Sequence, residues 1–430
     1  MALVYSLMIL TFICSLILTP ITIKIANKYG ILDSPKNKRK IHTKPMPRIG
    51  GLAIDISMFI GLAVYYFLTR MVHSIAFSSQ FTGYVIGAII IATMGLIDDV
   101  VNLRARYKFI FQLVAACVVY AFGITISGIK IPFIYPYTID LGTYSFPSTP
   151  ILISGGSFID AIRPFFTLSF PITLLWIIGV TNAVNLIDGL DGLADGICAI
   201  SATALLIIFV TTSASLDAII ITAVLVGATL GFLPYNFNPA KTFMGDVGSN
   251  FLGFTLATVS ILGFAKGYTI LAIVAPILAL GVPIFDTLFA MIRRFINHKP
   301  MLQPDRGHIH HRLLSHGFTQ RQAVLILYTV TSILCIIAVT IISADFVKLI
   351  LLIIATIVFI VLGLLNSKKG KEEFEKHVKK QLPVSSQDLS ESENIKVNDV
   401  DDAENVNEEK TYGNSEGKVN EKENSEIQQK

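Results

Sequence analysis

Charged residues are scarce in this chain: they make up 15% of its 430 residues, whereas 53% are hydrophobic and the mean hydropathy is +0.65. Because soluble domains carry about 25% charged residues, this composition excludes an ordinary soluble protein. Cysteine is scarce too, and no CxxC spacing occurs; the four cysteines, all within apolar runs, are Cys14, Cys117, Cys198 and Cys335. We interpret them as small hydrophobic side chains and expect neither disulfides nor a cysteine metal site.

Several familiar signatures are missing. The chain has no GxxxxGK[ST] motif and no HRD and DFG pair, which argues against a P-loop NTPase and a protein kinase. It has no internal repeat of the kind that marks secondary transporters. No basic residue precedes the first apolar run, and the first lysine is Lys24, whereas a cleavable signal peptide has the opposite order. We therefore expect a first spanning helix with its N-terminus outside.

Long apolar runs are abundant instead. A helix needs about 17–25 apolar residues to cross a bilayer, and eleven such runs occur, at 3–23, 50–69, 81–97, 108–128, 165–183, 197–213, 217–234, 249–265, 269–291, 323–343 and 346–366. We predict an all-α, polytopic membrane protein with about eleven transmembrane helices in residues 1–366. Large apolar residues almost vanish in 367–430, which predicts a disordered polar tail.

Lysine and arginine divide the loops into two groups. Seven lie between Lys28 and Arg48, three in 104–108 and six in 293–321, whereas the alternate loops carry two at most. By the positive-inside rule the basic loops are cytoplasmic, so the N-terminus is outside and the C-terminus is cytoplasmic. The basic cluster that opens the tail at Lys368 is interpreted as a topology anchor, and no nucleic-acid partner is expected.

Two acidic motifs lie at the predicted cytoplasmic face. GLIDDVVNLRARYKF places Asp98 and Asp99 side by side; adjacent carboxylates repel, so in a partly desolvated site one keeps its proton or the pair holds a cation, unless they cap a turn. The second motif, TNAVNLIDGLDGLADG, carries Asn182, Asn185, Asp188, Asp191 and Asp195. An ionised aspartate near hydrocarbon costs a few kcal/mol, which indicates a functional site, although Asn, Asp and Gly are also typical of a tight loop.

Two further motifs suit phosphate groups. In NPAKTFMGDVGSNFLGF, Asp246 lies between Gly245 and Gly248, just before a predicted helix. Glycines allow a ligand to approach the backbone, and a helix N-terminus favours phosphate. PDRGHIHHRLLSHG carries three histidines. A zinc site is the alternative there, but HxHH has no supporting cysteine or i,i+4 pair, so we favour an anionic ligand or proton transfer.

Together, the predicted cytoplasmic face offers carboxylates, histidines and a basic loop that includes Lys44 and Arg48. Phosphoryl transfer needs this set, because a metal and cations neutralise oxygens as charge moves to the leaving group. Oxygen ligands favour Mg²⁺, with Mn²⁺ as an alternative. The residues alone thus predict metal-dependent phosphate chemistry at the bilayer surface, where a lipid is a natural substrate.

The four motifs, in this order, resemble the polyprenyl-phosphate N-acetylhexosamine-1-phosphate transferases, and the HIHHRLL form is similar to the bacterial WecA/TagO-type enzymes. The resemblance covers about residues 1–366. It implies a bacterial plasma membrane enzyme that moves GlcNAc-1-phosphate from UDP-GlcNAc to undecaprenyl phosphate and releases UMP. This would be the first membrane step of a surface glycan such as teichoic acid, with the active site on the cytoplasmic face.

The resemblance also implies roles for the acidic residues. Asp98 would be the base that deprotonates the lipid phosphate, and Asp99 would support the metal or that phosphate. Asp246 would be the main Mg²⁺ ligand.

The remaining roles concern the substrates. Phe243 would stack on uracil, and the nucleotide pocket would be lined by Asn185, Asp188 and Asp191. Lys44 and Arg48 would clamp phosphates. Phosphate or sugar would be contacted by His308, His310 and His311.

Two rival functions remain open. One is the related transferase that uses UDP-MurNAc-pentapeptide, whose histidine motif usually reads as three consecutive histidines. The other is an ion-coupled transporter, although the carboxylates here cluster at run ends and not in mid-span. A homodimer is left open.

Overall fold

The structure is a computed structural model that describes residues 1–33, 45–73, 78–126, 128–130, 138–140, 167–264, 271–297 and 308–343, all within the unit Met1–Val358. The helices in these residues are α1 (Ala2–Tyr29), α2 (Leu52–His73), α3 (Ser79–Val101), α4 (Ala105–Ala121), α5 (Ser169–Ile187), α6 (Leu193–Thr211), α7 (Leu216–Asn236), α8 (Gly245–Phe264), α9 (Leu271–Ala279), α10 (Gly281–Ile296), α11 (Ile309–Ser315) and α12 (Gln320–Ser343). The strands are β1 (Leu32–Asp33), β2 (Met46–Pro47), β3 (Gly128–Lys130) and β4 (Thr138–Asp140), which pair antiparallel as β1 with β2 and β3 with β4.

Eight of the described helices are long and apolar enough to cross a membrane: α1, α2, α3, α5, α6, α7, α8 and α12. The chain is therefore a mainly helical, multi-pass membrane protein, as predicted. The count of eleven differs from this number at three places. The run 108–128 forms α4, which has 17 residues; the run 269–291 is divided into α9 and α10; and the run 346–366 lies outside the described residues, as does the predicted tail.

The division between α9 and α10 falls at Leu280 and has a local cause. Pro276 lies inside α9, and Pro283 lies in the first turn of α10. Proline lacks an N–H group, so it is tolerated in a first turn and interrupts a longer helix. Two shorter helices thus replace the predicted straight span.

Helix α8 is the centre of the described bundle. Nearly all of its residues are buried, and it contacts α2, α3, α5, α6 and α7. A helix that is apolar on all sides is expected at the core of a bundle. Its N-terminal end carries Asp246, so the most enclosed helix presents the third motif.

Small residues allow α1 and α7 to pack closely. A Cβ atom at Gly227 would meet the carbonyl oxygen of Met8, and one at Gly231 would meet that of Phe12. Thr11 Oγ1 also donates to the carbonyl oxygen of Val224 at 3.1 Å. Close backbone approach and interhelical hydrogen bonds are the usual means of helix association in membranes.

The segment before α2 runs beside the segment before α8. The N–H of Phe243 donates to Pro47 at 2.8 Å, and the N–H groups of Gly50 and Gly51 donate to Phe243 and Met244 at 3.0 and 2.9 Å. Glycine is required at position 51, where a Cβ atom would meet backbone atoms of Met244 and Gly248. This pairing brings the basic loop to the FMGD motif.

All four cysteines are free, as predicted. Cys198 and Cys335 are buried, and Cys14 and Cys117 are partly buried. They pack as small hydrophobic side chains.

Candidate active site

The carboxylate of Asp246 receives side chains from three other parts of the chain. Its Oδ1 accepts from Asn185 Nδ2 at 2.7 Å and from Lys108 Nζ at 3.3 Å. Its Oδ2 accepts from Arg48 Nη2 at 3.3 Å. Two cations and an amide therefore surround one carboxylate, which stabilises its charged form.

Asp99, in the last turn of α3, caps α8. Its Oδ1 accepts from the backbone N–H of Asp246 at 3.0 Å, and its Oδ2 accepts from that of Val247 at 2.9 Å. These N–H groups have no acceptor within the helix, and a carboxylate also suits the positive end of the helix dipole. Arg48 Nε lies 3.2 Å from Asp99 Oδ1. Asp99 therefore joins the first motif to the third.

Asp98 faces Lys108, which lies on α4. Its Oδ2 forms an ion pair with the Lys108 ammonium, and its Oδ1 accepts from the N–H of Leu103 at 2.7 Å. Asp98 is 1% exposed. The Lys108 ammonium contacts both Asp98 and Asp246, so it links two acidic residues that are 148 positions apart in the chain.

A chain of amides continues from Asp246 into the bundle. Asn250 Nδ2 donates to the Asp246 carbonyl at 2.8 Å, and its Oδ1 accepts from Gln112 Nε2 at 3.0 Å. Gln112 Oε1 accepts from Asn182 Nδ2 at 2.8 Å. Amide groups in an apolar interior need such partners. The network joins α4, α5 and α8 behind the site.

A cavity of about 620 Å³ opens in front of Asp246. This volume is typical of a small-molecule site. Its lining consists of Asp33, Arg48, Asn102, Asn185, Asp188, Gly189, Leu190, Asp191, Asn236, Phe243, Gly245, Asp246, Ser249, His311 and Gln320.

Several predicted site residues thus meet in one cavity. They are Asn185, Asp188, Asp191, Phe243, Asp246, Arg48 and His311. Asp98 and Asp99 are buried behind Asp246 and do not line the cavity. Lys44 lies outside the described residues.

Asp188 is a carboxyl group of the cavity wall with a raised pKa. Burial, together with the charges of Asp246, Asp99 and Asp191, raises the pKa of Asp188 to about 8. Removal from water and nearby like charges both disfavour the ionised form. Asp188 can therefore donate a hydrogen bond to an oxygen at neutral pH.

Asp191 stabilises the loop that carries Phe243. Its Oδ2 accepts from Asn238 Nδ2 at 2.9 Å and from the N–H of Ala240 at 3.1 Å. Asp191 of the second motif thus fixes the loop that begins the third motif. Phe243 follows in this loop and is partly exposed to the cavity.

The histidines form a row. The rings of His308 and His310 are stacked with centroids 5.8 Å apart, and those of His310 and His311 are 4.3 Å apart. His308 and His310 are buried, whereas His311 lines the cavity. Burial, with the neighbouring His311, lowers the pKa of His310 to about 4. His310 is therefore neutral at physiological pH.

The glycines of FMGDVGS serve the protein's own packing as well. Gly245 has a φ of 73°, and a Cβ atom there would meet Asp99 and the carbonyl oxygen of Arg48. A Cβ atom at Gly248 would meet Gly51. The Met244 side chain and the backbone of Gly51 therefore fill the space beside Gly248.

Sequence reasoning missed two residues of the cavity lining, Asp33 and Asn102, and the ion pairs that Lys108 makes behind Asp246. Asp33 and Asn102 line the cavity, and Asn102 Oδ1 accepts from Arg48 Nη1 at 2.7 Å. Lys108 contributed only to the topology prediction, although a lysine at the start of an apolar run indicates a buried ion pair. Asp33 is an acidic residue within a basic loop, a weaker signal.

Asp195 lies apart from the cavity. It is fully buried in α6, and neither of its carboxylate oxygens has a hydrogen-bond partner in the part of the chain that the structure describes. Asp195 therefore belongs to the acidic motif in sequence, but it does not line the cavity.

The cavity wall supplies hard oxygen donors from Asp246, Asp188 and Asn185. Carboxylate and amide oxygens are ligands suited to Mg²⁺. Within the described ranges, no group of three or more His, Cys, Asp or Glu side chains is arranged to hold a metal ion. This donor set fits an ion that takes one or two protein carboxylates and completes its shell with phosphate and water.

Known proteins are similar to this chain over most of its length. The family model for "Glycosyl transferase family 4" matches residues 81–264, which contain the first three motifs. A protein of Bacillus subtilis (strain 168), named "Probable undecaprenyl-phosphate N-acetylglucosaminyl 1-phosphate transferase", is 40% identical over 367 residues, which are 84% of this chain and 92% of that protein.

Two further relatives carry related names. The "Decaprenyl-phosphate N-acetylglucosaminephosphotransferase" of Mycobacterium leprae (strain TN) is 33% identical over 71% of this chain and 75% of its own length. The "Undecaprenyl-phosphate alpha-N-acetylglucosaminyl 1-phosphate transferase" of Escherichia coli (strain K12) is 29% identical over 84% of this chain and 90% of its own length. These matches confirm the resemblance inferred from the motifs. The chain belongs to glycosyl transferase family 4, among the polyprenyl-phosphate N-acetylhexosamine-1-phosphate transferases of the WecA/TagO type.

Proposed function

We propose that the chain transfers GlcNAc-1-phosphate from UDP-GlcNAc to undecaprenyl phosphate. An oxygen of the lipid phosphate bonds to the phosphorus that bears the sugar, and the bond from that phosphorus to the UMP oxygen breaks. The products are undecaprenyl-diphosphate-GlcNAc and UMP. The names of the relatives support both the sugar and the lipid.

One observation carries the proposal. Asp246 faces a cavity of about 620 Å³ and is flanked by the Arg48 guanidinium and the Lys108 ammonium, each 3.3 Å from its carboxylate. A diphosphate needs cations on its oxygens as charge moves to the leaving group. Arg48 and Lys108 approach from separate segments, so they can serve the donor and the acceptor phosphates together.

The cofactor of this proposal is Mg²⁺, with Mn²⁺ as the alternative. Asp246 would hold the ion from the cavity wall, and Asp188 would reach it through water. Asp99 would support it indirectly, because both Asp99 oxygens accept N–H groups of α8. When bound, the ion would neutralise diphosphate oxygens and make UMP a better leaving group.

The resemblance assigns Asp98 the role of base toward the lipid phosphate, which is the alternative to the role that its contacts favour. The contacts of Asp98 support a further role, since its carboxylate holds the Lys108 ammonium beside Asp246. A phosphate is already a competent nucleophile, so direct displacement is favoured over a phosphorylated aspartate. Isotope exchange between UMP and UDP-GlcNAc without lipid would contradict direct displacement.

The nucleotide lies, in this proposal, against the loop of the second and third motifs. Phe243 offers an aromatic face for uracil, and Asp188 lines the same cavity. Asn185 orients Asp246, and Asp191 holds the Phe243 loop. In this proposal His311, which lines the cavity, contacts phosphate or sugar.

The site is proposed to face the cytoplasm of a bacterial plasma membrane. The start of α2, the end of α3 and the starts of α4 and α8 meet there, and this end carries the basic residues Arg48, Arg104, Arg106 and Lys108. Basic residues favour the cytoplasmic side. An outer N-terminus and a cytoplasmic C-terminus, with about eleven spans, complete this topology.

The reaction would open the synthesis of a surface glycan such as teichoic acid. The GlcNAc-naming relatives support this donor over UDP-MurNAc-pentapeptide. A transporter gains no support, because the cavity carboxylates lie at helix ends.

The test is UMP release from UDP-GlcNAc and undecaprenyl phosphate, with and without Mg²⁺. We expect metal-dependent release by the wild type and a loss of at least about a hundredfold in Asp246→Ala. The matched control is Asp217→Asn. Asp217 lies in the first turn of α7, at the end of that helix away from the cavity, and its carboxylate accepts from Ser78 Oγ at 2.5 Å. Metal-independent release, or full activity in Asp246→Ala, would overturn the site.

A further inference from the structure

Helix α10 buries a carboxylate while exposing large apolar side chains. Asp286 is 3% exposed, and it shares the buried face with Ala290 and Arg294. Phe289 and Phe295, on the outer face, are 62% and 72% exposed. Burying a carboxylate costs free energy unless hydrogen bonds compensate for the lost water. The hydrogen-bond partners of Asp286 therefore indicate its role.

Within the described residues, Asp286 makes two hydrogen bonds, both to the histidine motif. Its Oδ2 lies 2.9 Å from His308 Nδ1, and its Oδ1 accepts from the backbone N–H of Ile309 at 2.8 Å. Ile309 is the first residue of α11, so this second bond satisfies a free donor at the helix start. The Asp286 carboxylate thus caps the start of α11 and also holds the ring of His308, the residue before that helix.

The bond to His308 also sets the protonation of its ring. An ionised carboxylate only accepts hydrogen bonds, so Nδ1 of His308 must carry the proton. In a neutral imidazole, Nε2 is then the acceptor. Asp286 therefore selects one tautomer and one ring orientation.

The orientation of His308 is passed to the cavity through stacked rings. His310 stacks on His308 at an interplanar angle of 9°, and His311 follows at 4.3 Å. His310 also packs on the Asp188 loop, since a Cβ atom at Gly189 would lie 2.6 Å from His310 Nε2. His311 completes the row in the cavity wall.

We propose that Asp286 is the positioning residue of the histidine motif: it fixes His308 and the start of α11, and thereby places His311 in the cavity wall. The inference rests on the proposed function in that its kinetic readout uses the transferase reaction. Asp286 does not line the cavity, so it acts through the histidines.

Asp286→Asn separates this role from simple helix capping. The amide oxygen can still accept from Ile309, so the start of α11 is kept. The amide NH₂ then faces Nδ1 of His308, which must become an acceptor and move its proton to Nε2. Asp286→Glu restores a carboxylate and serves as the conservative variant.

The experiment combines histidine ¹⁵N NMR with UMP-release kinetics on the full chain. We expect Asp286→Asn to change the tautomer of one buried histidine and to lower kcat/KM about tenfold or more, with an unfolding temperature close to wild type. Asp286→Glu should recover part of the rate. The double variant Asp286→Asn with His311→Ala should lose little beyond His311→Ala alone.

Two outcomes would overturn the inference: an unchanged tautomer, or losses in the double variant that multiply. An equal fall of activity and unfolding temperature in both Asp286 variants, with the tautomer retained, would likewise reduce Asp286 to a structural cap. If the wild type released no UMP, the proposed function would fail, whereas the NMR comparison would still test the positioning of His308.

Discussion

The ammonium group of Lys108 lies between the first motif, which carries Asp98, and the third motif, which carries Asp246. It pairs with Asp98 and lies 3.3 Å from Asp246 Oδ1. Asp98 is buried behind this contact, so its effect on a group bound in the cavity is transmitted by Lys108. The base role and the anchoring role of Asp98 therefore make different kinetic predictions.

A double-mutant cycle distinguishes them. If Asp98 holds Lys108, then Lys108→Met and Asp98→Asn each lower kcat/KM, and the double variant falls little further, because both changes remove the same contact. If Asp98 acts as an independent base, its loss alone costs about 10²–10⁴-fold and multiplies with that of Lys108. We expect the coupled result; multiplicative losses, measured as UMP release, would contradict the anchoring role.

His310 predicts a pH dependence of stability. Its pKa is lowered to about 4 by burial first and then by His311, whereas an unfolded histidine titrates near 6.5. The folded protein thus binds this proton less readily than the unfolded chain. The stabilisation is complete above about pH 6.5 and is lost as the pH falls toward about 4, and it is worth roughly 3 kcal/mol.

Unfolding temperatures of the detergent-solubilised protein between pH 7 and pH 4.5 test this. His310→Asn should show a flatter dependence than the wild type over this range. The control is His316→Asn, since His316 is exposed and its replacement should leave the wild-type slope. Equal slopes for the wild type and His310→Asn would contradict the prediction.

At the scale of elements, the starts of α2 and α8 are held together by glycine. A Cβ atom at Gly51 would meet the carbonyl oxygen of Met244 and the Cα of Gly248, which are backbone atoms that cannot turn aside. Gly51→Ala should therefore separate the Arg48 segment from Asp246. We expect a lower unfolding temperature and a loss of about tenfold or more in kcat/KM.

Gly179→Ala is the matched control. Gly179 lies inside α5, and a Cβ atom there would meet nothing within 4 Å. Alanine is favoured over glycine in a helix by about 0.5–1 kcal/mol, so stability should stay the same or rise slightly. Wild-type behaviour of Gly51→Ala would show that the two helix starts are not locked together.

The spanning helices were predictable because hydrocarbon imposes long apolar runs. The division of 269–291 into α9 and α10 was not, since a run rich in apolar residues hides the effect of Pro276 and Pro283. The cap that Asp99 provides for α8 was also hidden. It joins residues almost 150 positions apart, and no local pattern records such a contact.

At the scale of the whole molecule, the site lies at one end of the helices and Asp217 at the other. Asn236, at the end of α7, lines the cavity, and Asp217 is in the first turn of the same helix. A helix of this length spans about 30 Å, which is the thickness of the hydrocarbon core. The two ends therefore face opposite sides of the membrane.

Cysteine labelling tests which side is which. In a background without the native cysteines, we expect a membrane-impermeant maleimide to label Thr212→Cys on intact cells and to leave Arg106→Cys unlabelled until the cells are opened. Both positions are exposed in the structure. The reverse pattern would place the cavity outside the cytoplasm.

The sequence could place about half of the cavity lining because its motifs are local and chemically unusual. Asp188, Asp246 and His311 were predicted, and they meet in one wall. Asp33, Asn102 and the pairing of Lys108 could not be placed, because each depends on how distant segments meet. Asp195, for which the sequence predicted no role, belongs to the same motif as Asp188 but is buried and does not line the cavity.

The most direct test of the account offers both donors to the purified protein. Wild-type protein with undecaprenyl phosphate, Mg²⁺ and equal amounts of UDP-GlcNAc and UDP-MurNAc-pentapeptide is analysed by mass spectrometry of the lipid fraction. The account predicts undecaprenyl-diphosphate-GlcNAc as the product, and no product from Asp246→Ala. A MurNAc-pentapeptide lipid, or a GlcNAc lipid that Asp246→Ala still makes at the wild-type rate, would contradict it.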